Sequence, residues 1–313
     1  MAQNLALLIA CSLSVLILMS VPSHLGIASS AKNSAMPSVT SKVNNLPGNS
    51  TVGTASREQN IELRLLSKDI EDVLRDGVAA LQLVANNSSP MSVQPNETLL
   101  KSTFRVLHGI PQNADEAKRR LALDLLSKYK IFEYVGYLTP RGDTYFIEPY
   151  SPTQTHLKTP NFAYREHFKG AIATGAPYIS NVINSVAFGK PHAAIVIPIH
   201  SQNSSKSLIG LLVAGLNFTK FHQSLRSLNM TDYNHRIIIA DHNGTAIFDS
   251  SVNKTSILKP EFVNSLQSFR NAIEGKSGFL IEPLNGTKML ISYQQLKAVQ
   301  RTWVVLLMRP VSI

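Results

Sequence analysis

The sequence contains a single cysteine in 313 residues. This residue, Cys11, lies inside an apolar run near the N-terminus. Small exported domains without a large core are usually held together by disulfides or by cysteine-bound metals. Both devices are excluded for the chain after Cys11, so a hydrophobic core must stabilise it. The composition, 44% hydrophobic, is sufficient for one large core or two smaller ones.

Sequence signatures of catalysis are also missing. The chain has no G-x-S-x-G nucleophile elbow, no phosphate-binding P-loop and no dinucleotide-binding G-x-G-x-x-G run. Its nine histidines include no H-x-x-x-H or H-E-x-x-H spacing, which zinc sites on helices require. We therefore predict no enzymatic activity, no cofactor and no metal site.

Acidic residues are scarce, with 20 Asp and Glu against 30 Lys and Arg, a formal net charge of +10. This balance favours an anionic partner, such as a membrane face, an acidic polymer or a carboxylate ligand. The basic residues are scattered, and no run of five occurs. The pattern is typical of a solvated basic surface, and we predict no binding to nucleic acid.

Residues 5–22 form a run without charged residues, and small residues follow at 26–31. The run is long for the core of a signal peptide and short for a membrane span. No Lys or Arg precedes it, so charge does not indicate its orientation. We predict that residues 1–28 are either a cleaved signal peptide or a retained membrane anchor; both alternatives place the remainder outside the cytoplasm.

Acceptor sequons for N-glycosylation are frequent. Chance would place about 3 or 4 N-x-S/T sequences in a chain of this composition. The excess indicates an exported glycoprotein, unless a surface rich in Ser, Thr and Asn produces the sequons by accident. The ten sequons begin at Asn49, Asn86, Asn87, Asn96, Asn203, Asn217, Asn229, Asn243, Asn253 and Asn285.

The first structured segment is predicted to be a long amphipathic helix. Residues 29–55, rich in small and polar residues, indicate a flexible linker, and Ser56 is a suitable N-cap. Apolar residues then recur at helical spacing from Ile61 to Val84. A loop over residues 86–96 and a second helix over residues 114–129 follow.

The remainder predicts an α+β fold with antiparallel sheets. Strands are predicted within residues 132–148, 192–199 and 208–218. The strand–turn–strand pattern of 132–148 recurs at 236–250, with Gly244 in the place of Gly142. A helix over 257–274 and three strands complete the chain. We predict two modules, one at 56–232 that includes the long helix and one at 233–313.

At this point the chain resembles the double Cache sensor domains, the extracytoplasmic ligand-binding domains of prokaryotic chemoreceptors and sensor kinases. The resemblance is carried by the long helix, by the doubled α+β plan and by the run "YREHFKGAIATGAPYIS", followed by "GKPHAAIVIPI" and "LIGLLVAGLNF". It covers roughly residues 56–310. It implies two PAS-like modules and a small-molecule pocket in the first of them, at a prokaryotic cell surface.

The resemblance implies that Arg165, His167 and Phe168 form the floor of this pocket. Amino-acid-binding members have a Trp–Tyr pair after the arginine and a carboxylate at the end of the later long strand. Here the pair is His167–Phe168 and the strand ends at Asn217, so an amino-acid ligand is not inferred. Tyr178 and Tyr145 are further candidates for pocket walls.

The residues themselves leave alternatives open. The guanidinium of Arg165 offers a planar fork for a carboxylate, or it pairs with Glu166 or Asp143 on the surface. The rings of Phe168 and Tyr178 line a pocket or pack at the edge of the core. Tyr145 alternates with Phe146 along a strand, so only one of them faces inward.

The predicted function is a small-molecule sensor or binding module without enzymatic activity. We expect a small organic ligand, in particular one with a carboxylate, and a separate signalling partner or a homodimer. If residues 5–22 are retained, the membrane is a further partner. The alternative is an adhesion or structural protein whose modules only space its glycans.

Overall fold

The computed structural model describes residues 49–86, 89–103, 109–150, 161–184, 191–201, 206–217, 235–251 and 260–311. Residues 1–28, residues 29–48 of the predicted linker and the predicted module boundary at 232/233 lie outside these ranges. Among the described helices, none is both long enough and apolar enough to span a membrane. The elements are α1 (Asn49–Val84), a 3-10 turn (Pro90–Ser92), α2 (Glu97–Thr103), α3 (Glu116–Lys128), β1 (Phe132–Leu138), β2 (Thr144–Glu148), α4 (Glu166–Thr174), β3 (Tyr178–Ile179), β4 (Ile183–Asn184), β5 (Pro191–His192), β6 (Ala194–His200), β7 (Leu208–Leu216), β8 (Arg236–Ala240), β9 (Ala246–Asp249), α5 (Pro260–Ser265), α6 (Gln267–Ile273), β10 (Gly278–Leu284), β11 (Thr287–Ala298) and β12 (Arg301–Pro310).

Helix α1 is 36 residues long and begins before the predicted N-cap. Ser56 lies inside the helix, where its hydroxyl donates to the carbonyl of Gly53 at 2.9 Å. The prediction of Ser56 as N-cap is therefore wrong, and residues 49–55 of the predicted linker are helical. Helix formation is cooperative: once the packed part has formed, each further residue adds one hydrogen bond without a new nucleation cost. A polar composition alone does not stop such growth.

The buried stripe of α1 belongs to one continuous hydrophobic cluster with residues of both sheets. Near its start, the Gln59 amide donates to the carbonyls of Leu290 at 3.2 Å and Leu307 at 2.5 Å. Twelve residues later, the carboxylate of Glu71 accepts from the Lys297 amide at 2.6 Å. The helix therefore lies along β11. The stripe comprises Leu63, Leu66, Ile70, Leu74 and Leu81.

The two sheets have the same topology. The first sheet has the strand order β2-β1-β7-β6-β3, and the second has the order β10-β11-β12-β8-β9. Neighbouring strands are antiparallel throughout. When the strands of each sheet are numbered in chain order, both sheets read 2-1-5-4-3. The predicted fold class, a long helix with two antiparallel α+β modules, and the internal repeat are confirmed.

The turn between the first two strands of each sheet shows the repeat in detail. Gly142 and Gly244 both have positive φ, at 88° and 81°. A Cβ atom on Gly142 would lie 2.6 Å from the amide nitrogen of Ala163, and one on Gly244 would lie 2.4 Å from the side chain of Asn264. Each turn therefore packs against the helical segment that follows its sheet's second strand. Ala163 lies just before α4, and Asn264 lies in α5. The predicted equivalence of the two glycines is confirmed.

Alternate residues of β6 divide the first sheet into two faces. Ile195, Ile197 and Ile199 join the cluster that contains α1. Ala194 and Val196 join a smaller cluster with Phe168 and Ala171 of α4. We call these the α1 face and the α4 face of the first sheet.

The helix predicted over 257–274 is two short helices, α5 and α6, in its described part. Leu266 separates them, with extended backbone and a buried side chain. The carboxylate of Glu282 accepts from the amides of Gln267 at 2.7 Å and Ser268 at 2.8 Å, the first N–H groups of α6. This cap comes from β10, so local sequence does not indicate it. Helix α2 and the 3-10 turn were likewise not predicted.

A buried ion pair fastens α3 to β2. The guanidinium of Arg119 donates to the carboxylate of Glu148, and both residues are 4% exposed. It also donates to the carbonyls of Ala114 at 2.9 Å, Ile110 at 3.1 Å and Pro111 at 3.0 Å. These bonds satisfy the donors of a cation that is removed from water.

We expect Arg119→Met to lower the free energy of unfolding by about 3–5 kcal/mol, because it leaves the Glu148 carboxylate buried without its cation. Urea denaturation at neutral pH measures this loss. The matched control is Arg120→Met, whose side chain is exposed and pairs with Glu116 on the surface; it should change stability little. Equal losses in the two variants would contradict the structural role of Arg119.

Candidate functional site

Helix α4 carries three of the predicted site residues. Arg165 is its N-cap, with extended backbone, and the helix ends at Gly175, whose φ of 59° is in the left-handed region. His167, Phe168 and Ala171 form the buried side of the helix. Phe168 is 7% exposed and packs in the cluster on the α4 face. The sequence was therefore right to group these residues, and Phe168 serves as core packing beside them.

Arg165 is half-buried, and its guanidinium lies 5.1 Å from the ring centroid of the exposed Tyr164. Within the described ranges, its side chain has no hydrogen bond and no ion pair. The two surface partners that sequence suggested are engaged elsewhere. Asp143 accepts from the Asn161 amide at 2.7 Å, and Glu166 binds Arg301. The planar fork of Arg165 therefore remains available to a ligand.

A buried tyrosine–histidine pair lies on the same face and was missed from the sequence. The hydroxyl of Tyr134 is 2.9 Å from Nε2 of His192, and the rings meet edge to face at 5.5 Å. Both residues are at most 9% exposed. Burial raises the pKa of Tyr134, nearby Glu133 raises it further, and the positive charge of Arg165 opposes both effects. The phenol therefore stays protonated, with Arg165 close enough to act on it.

His167 is 5% exposed, and its Nδ1 has no hydrogen-bond partner in the part of the chain that the structure describes. Burial lowers the pKa of His167 to about 4. The neighbouring His192 and Arg165 are smaller causes of the same shift, and Glu166 opposes it. His167 is therefore a neutral, buried imidazole at physiological pH. Among the predicted site residues, His167 is the one with a buried polar atom that has no described hydrogen-bond partner, its Nδ1. A ligand can contact such an atom.

Tyr178 lies beside α4 but is already bonded. Its hydroxyl donates to Oε1 of Glu166 at 2.5 Å and accepts from the guanidinium of Arg301 at 2.7 Å. Burial raises the pKa of Tyr178, and its bond to Glu166 adds to this effect. Its ring covers Gly170, where a Cβ atom would lie 2.2 Å from the ring. The structure thus places Tyr178 between α4 and the second sheet.

The assignment of Tyr145 to the pocket is corrected by the structure. Tyr145 is fully buried in the cluster on the α1 face. Its hydroxyl donates to Asp115 at 3.1 Å and accepts from the Asn96 amide at 3.1 Å. The sheet therefore separates Tyr145 from Arg165. Burial raises the pKa of Tyr145 to about 12, so its phenol is a neutral part of the core.

Asn217 directly follows β7, and its amide donates to the carbonyl of Ile131 at 2.7 Å. The alternation of β7, continued by one residue, assigns position 217 to the same face as Val213 and Gly215. Gly215 lies against the ring of Tyr134, since a Cβ atom there would be 2.1 Å from that ring. The role of Asn217 in ligand binding remains a prediction.

The site combines a cationic fork, a protonated phenol and a neutral imidazole over an apolar floor. The cationic fork and the protonated phenol suit the binding of an anion, and the lowered pKa of His167 makes its imidazole a weak base. In the described portion of the chain, no group of three His, Cys, Asp or Glu side chains is placed to hold a metal ion.

Solved structures with the same fold come from sensory receptors. The ligand-binding domain of the Pseudomonas fluorescens chemoreceptor CtaA, in complex with L-isoleucine, is 13% identical with a TM-score of 0.58, and the match covers 84% of this chain and 96% of that one. The extracellular domain of the putative histidine kinase rpHK1S-Z16 is 12% identical with a TM-score of 0.60, over 83% and 96% of the two chains. An extracellular ligand-binding receptor from Desulfohalobium retbaense is 15% identical with a TM-score of 0.53; 83% of this chain matches only 40% of that receptor.

A search of curated proteins found no match. A family model described as a Cache domain, dCache_1, matches residues 48–313. This range includes α1, both sheets and the α4 site. The match and the shared topology lead to one conclusion: the chain belongs to the double Cache family of extracytoplasmic sensor domains.

Proposed function

We propose that this protein is a small-molecule sensor that binds its ligand on the α4 face of the first sheet, against Arg165. The observation that carries the proposal is the guanidinium of Arg165, which has no anionic partner among the described residues yet lies near the buried Tyr134–His192 pair. An arginine left in this state at the edge of an apolar site provides a strong recognition point for a planar anion.

The ligand we propose is a small organic carboxylate. Arg165 would bind its carboxylate with two parallel hydrogen bonds. Tyr134 remains protonated because of its burial, so it adds no negative charge that would repel a carboxylate, and the apolar cluster under Phe168 can contact a short carbon chain. Recognition would then depend on one charged contact supported by neutral groups.

Whether the ligand also carries an ammonium group is open to direct measurement. The CtaA domain was crystallised with L-isoleucine, an amino acid. In this chain Asn217 directly follows β7, so the carboxylate that the family resemblance implies for an ammonium group is absent at that position. Glu133 is the acidic residue whose charge acts on Tyr134. A ligand panel should therefore pair amino acids with their deaminated counterparts.

The proposed role is binding and signal transmission rather than catalysis. Residues 5–22 would connect the domain to the membrane if they are retained, and a second protein or a second copy would receive the signal. Binding can shift the conformational balance only as far as the affinities of the two states differ.

A thermal-shift panel tests the function: propionate with alanine, succinate with aspartate, 3-methylpentanoate with isoleucine, and representative amines, purines and sugars. A true ligand at a hundredfold excess over its dissociation constant should add about 2.7 kcal/mol to the stability of the folded state. We expect a carboxylate to raise the melting temperature of the wild type and Arg165→Ala to abolish that rise. Arg120→Ala, which removes an exposed arginine from α3, should leave the rise intact.

Two outcomes would count against this proposal. If Arg165→Ala responds like the wild type, the ligand binds elsewhere. If no compound changes the melting temperature, the alternative of a glycosylated adhesion protein without a ligand gains support.

A second prediction concerns His167 and pH. The unfolded chain takes up a proton on this residue near pH 6.5, whereas in the folded chain its pKa is about 4. As pH falls through this window the unfolded state binds more protons, so the folded state loses stability, and the loss is absent above the unfolded pKa. His167 should therefore destabilise the protein by about 2 kcal/mol at pH 5 relative to pH 7.5.

The measurement is urea denaturation of the wild type and His167→Gln at both pH values. Because glutamine does not titrate, the difference between their unfolding free energies should change by that amount. The exposed His242, replaced in His242→Gln, provides the control and should follow the wild type. A constant difference between wild type and His167→Gln would show that His167 is not held neutral by burial.

A further inference from the structure

The free edge of β3 is closed by a side chain from the second sheet. Ile179 donates its amide to Oε1 of Gln300 at 2.9 Å and accepts from Nε2 of the same residue at 2.9 Å. The amide of Gln300 thus occupies the place of a neighbouring strand, on the side of β3 away from β6. Gln300 belongs to the tight turn between β11 and β12. The two sheets therefore meet at this edge through specific bonds.

Arg301, the residue that follows this turn and begins β12, contacts α4. Its Nε donates to the carbonyl of Ile179 at 3.0 Å, and its Nη2 donates to the Tyr178 hydroxyl at 2.7 Å and to the carboxylate of Glu166. The guanidinium also lies 5.4 Å from the ring centroid of Tyr178. Only 18% of the Arg301 side chain is exposed. One arginine of the second sheet thus joins β3 to the first turn of α4.

Glu166 connects this contact to the ligand site. It is the first residue of α4 and follows Arg165 directly. One carboxylate oxygen accepts from Arg301 and Tyr178, and the other accepts from the amide of Asn181 at 3.2 Å. The start of α4, and with it the backbone of Arg165, is therefore held by a carboxylate whose cation comes from the other module.

The backbone of the β11–β12 turn supports this interpretation. Val299 has a φ of 58°, a left-handed conformation that β-branched residues rarely adopt. Such conformations persist where the surrounding structure requires them and often occur at functional positions. Here the conformation lies directly before Gln300 and Arg301, which make the contacts to β3 and α4.

We propose that Arg301 is a positioning residue for the ligand site: through Glu166 and Tyr178 it holds the start of α4 and couples occupancy at Arg165 to the β11–β12 turn of the second sheet. The predicted effect on ligand affinity rests on the proposed function, whereas the predicted effect of Arg301 on the stability of α4 does not. The coupling is reciprocal. If ligand binding stabilises the contacts of this turn by a given factor, then loss of those contacts must weaken the affinity for the ligand by the same factor.

Hydrogen–deuterium exchange of the protein without ligand tests the coupling. In Arg301→Gln, the amides of residues 169–172, which donate to backbone carbonyls within α4 and at its N-cap, should exchange faster by on the order of tenfold. Arg236→Gln is the matched control, because Arg236 is also in the second sheet but pairs with Asp249 of the same sheet at 2.7 Å. It should leave exchange in α4 unchanged. Unchanged exchange of α4 in Arg301→Gln, or an equal increase in the control, would overturn the proposal.

Single-group variants separate positioning from a general loss of stability. Tyr178→Phe removes one hydroxyl and should give a smaller increase in α4 exchange. The increase in α4 exchange in the double variant, Glu166→Gln with Arg301→Gln, should be smaller than the sum of the increases in the two single variants, since both residues act through one contact. Additive effects would show that Glu166 and Arg301 act independently, and would contradict the proposal that Arg301 holds α4 through Glu166.

The functional readout is the dissociation constant of the carboxylate that gives the largest thermal shift in the panel. Arg301→Gln should raise this constant by about tenfold with binding retained, and Arg301→Lys, which keeps the charge toward Glu166, should recover part of the loss. An unchanged constant in Arg301→Gln would overturn the coupling to the ligand. If no compound binds, the proposed function fails, and the exchange experiment still decides whether α4 is held from the second sheet.

Discussion

The packing of α1 against both sheets is the constraint on which the rest of the structure depends. The helix provides one side of the larger hydrophobic cluster, and residues of each sheet complete it. Since no disulfide can form after Cys11, this apolar contact replaces covalent cross-links. Because α1 packs on one face of the first sheet, it leaves the opposite face, the α4 face, to other elements. The α1 face of the first sheet is filled by core residues in the described part of the chain, which favours the α4 face for the proposed ligand site.

The α4 face differs from the α1 face in its chemistry. Its cluster is smaller, and beside it lie a buried Tyr134–His192 pair, a neutral His167 and Arg165, whose guanidinium has no partner among the described residues. Polar groups that are buried without full satisfaction reduce stability, and folds tolerate few of them. The Nδ1 atom of His167 is one such group within the described residues, and the ligand proposed for this face would be able to contact it.

Sequence predicted the elements that depend on local pattern. Spacing within a few residues predicts the long apolar strands β7 and β11 and the repeated turn at Gly142 and Gly244. It also predicts the grouping of Arg165, His167 and Phe168 on one helix. Errors arose where a distant element decides the outcome. The break at Leu266 depends on Glu282 of β10, which no periodicity within 257–274 can indicate.

The site itself shows the same limit. The sequence indicated Tyr145 as a site residue and not Tyr134. Pairing irregularities at both ends of β1 make alternation unreliable there, and the structure places the two rings on opposite faces. The pair of Tyr134 and His192 is 58 residues apart in sequence. Tyr178 was predicted as a pocket wall because it is aromatic and near Arg165, whereas its hydroxyl is engaged by Glu166 and Arg301. A local pattern therefore indicates the candidate helix, and only the tertiary structure shows that a residue of the other module contacts its first turn.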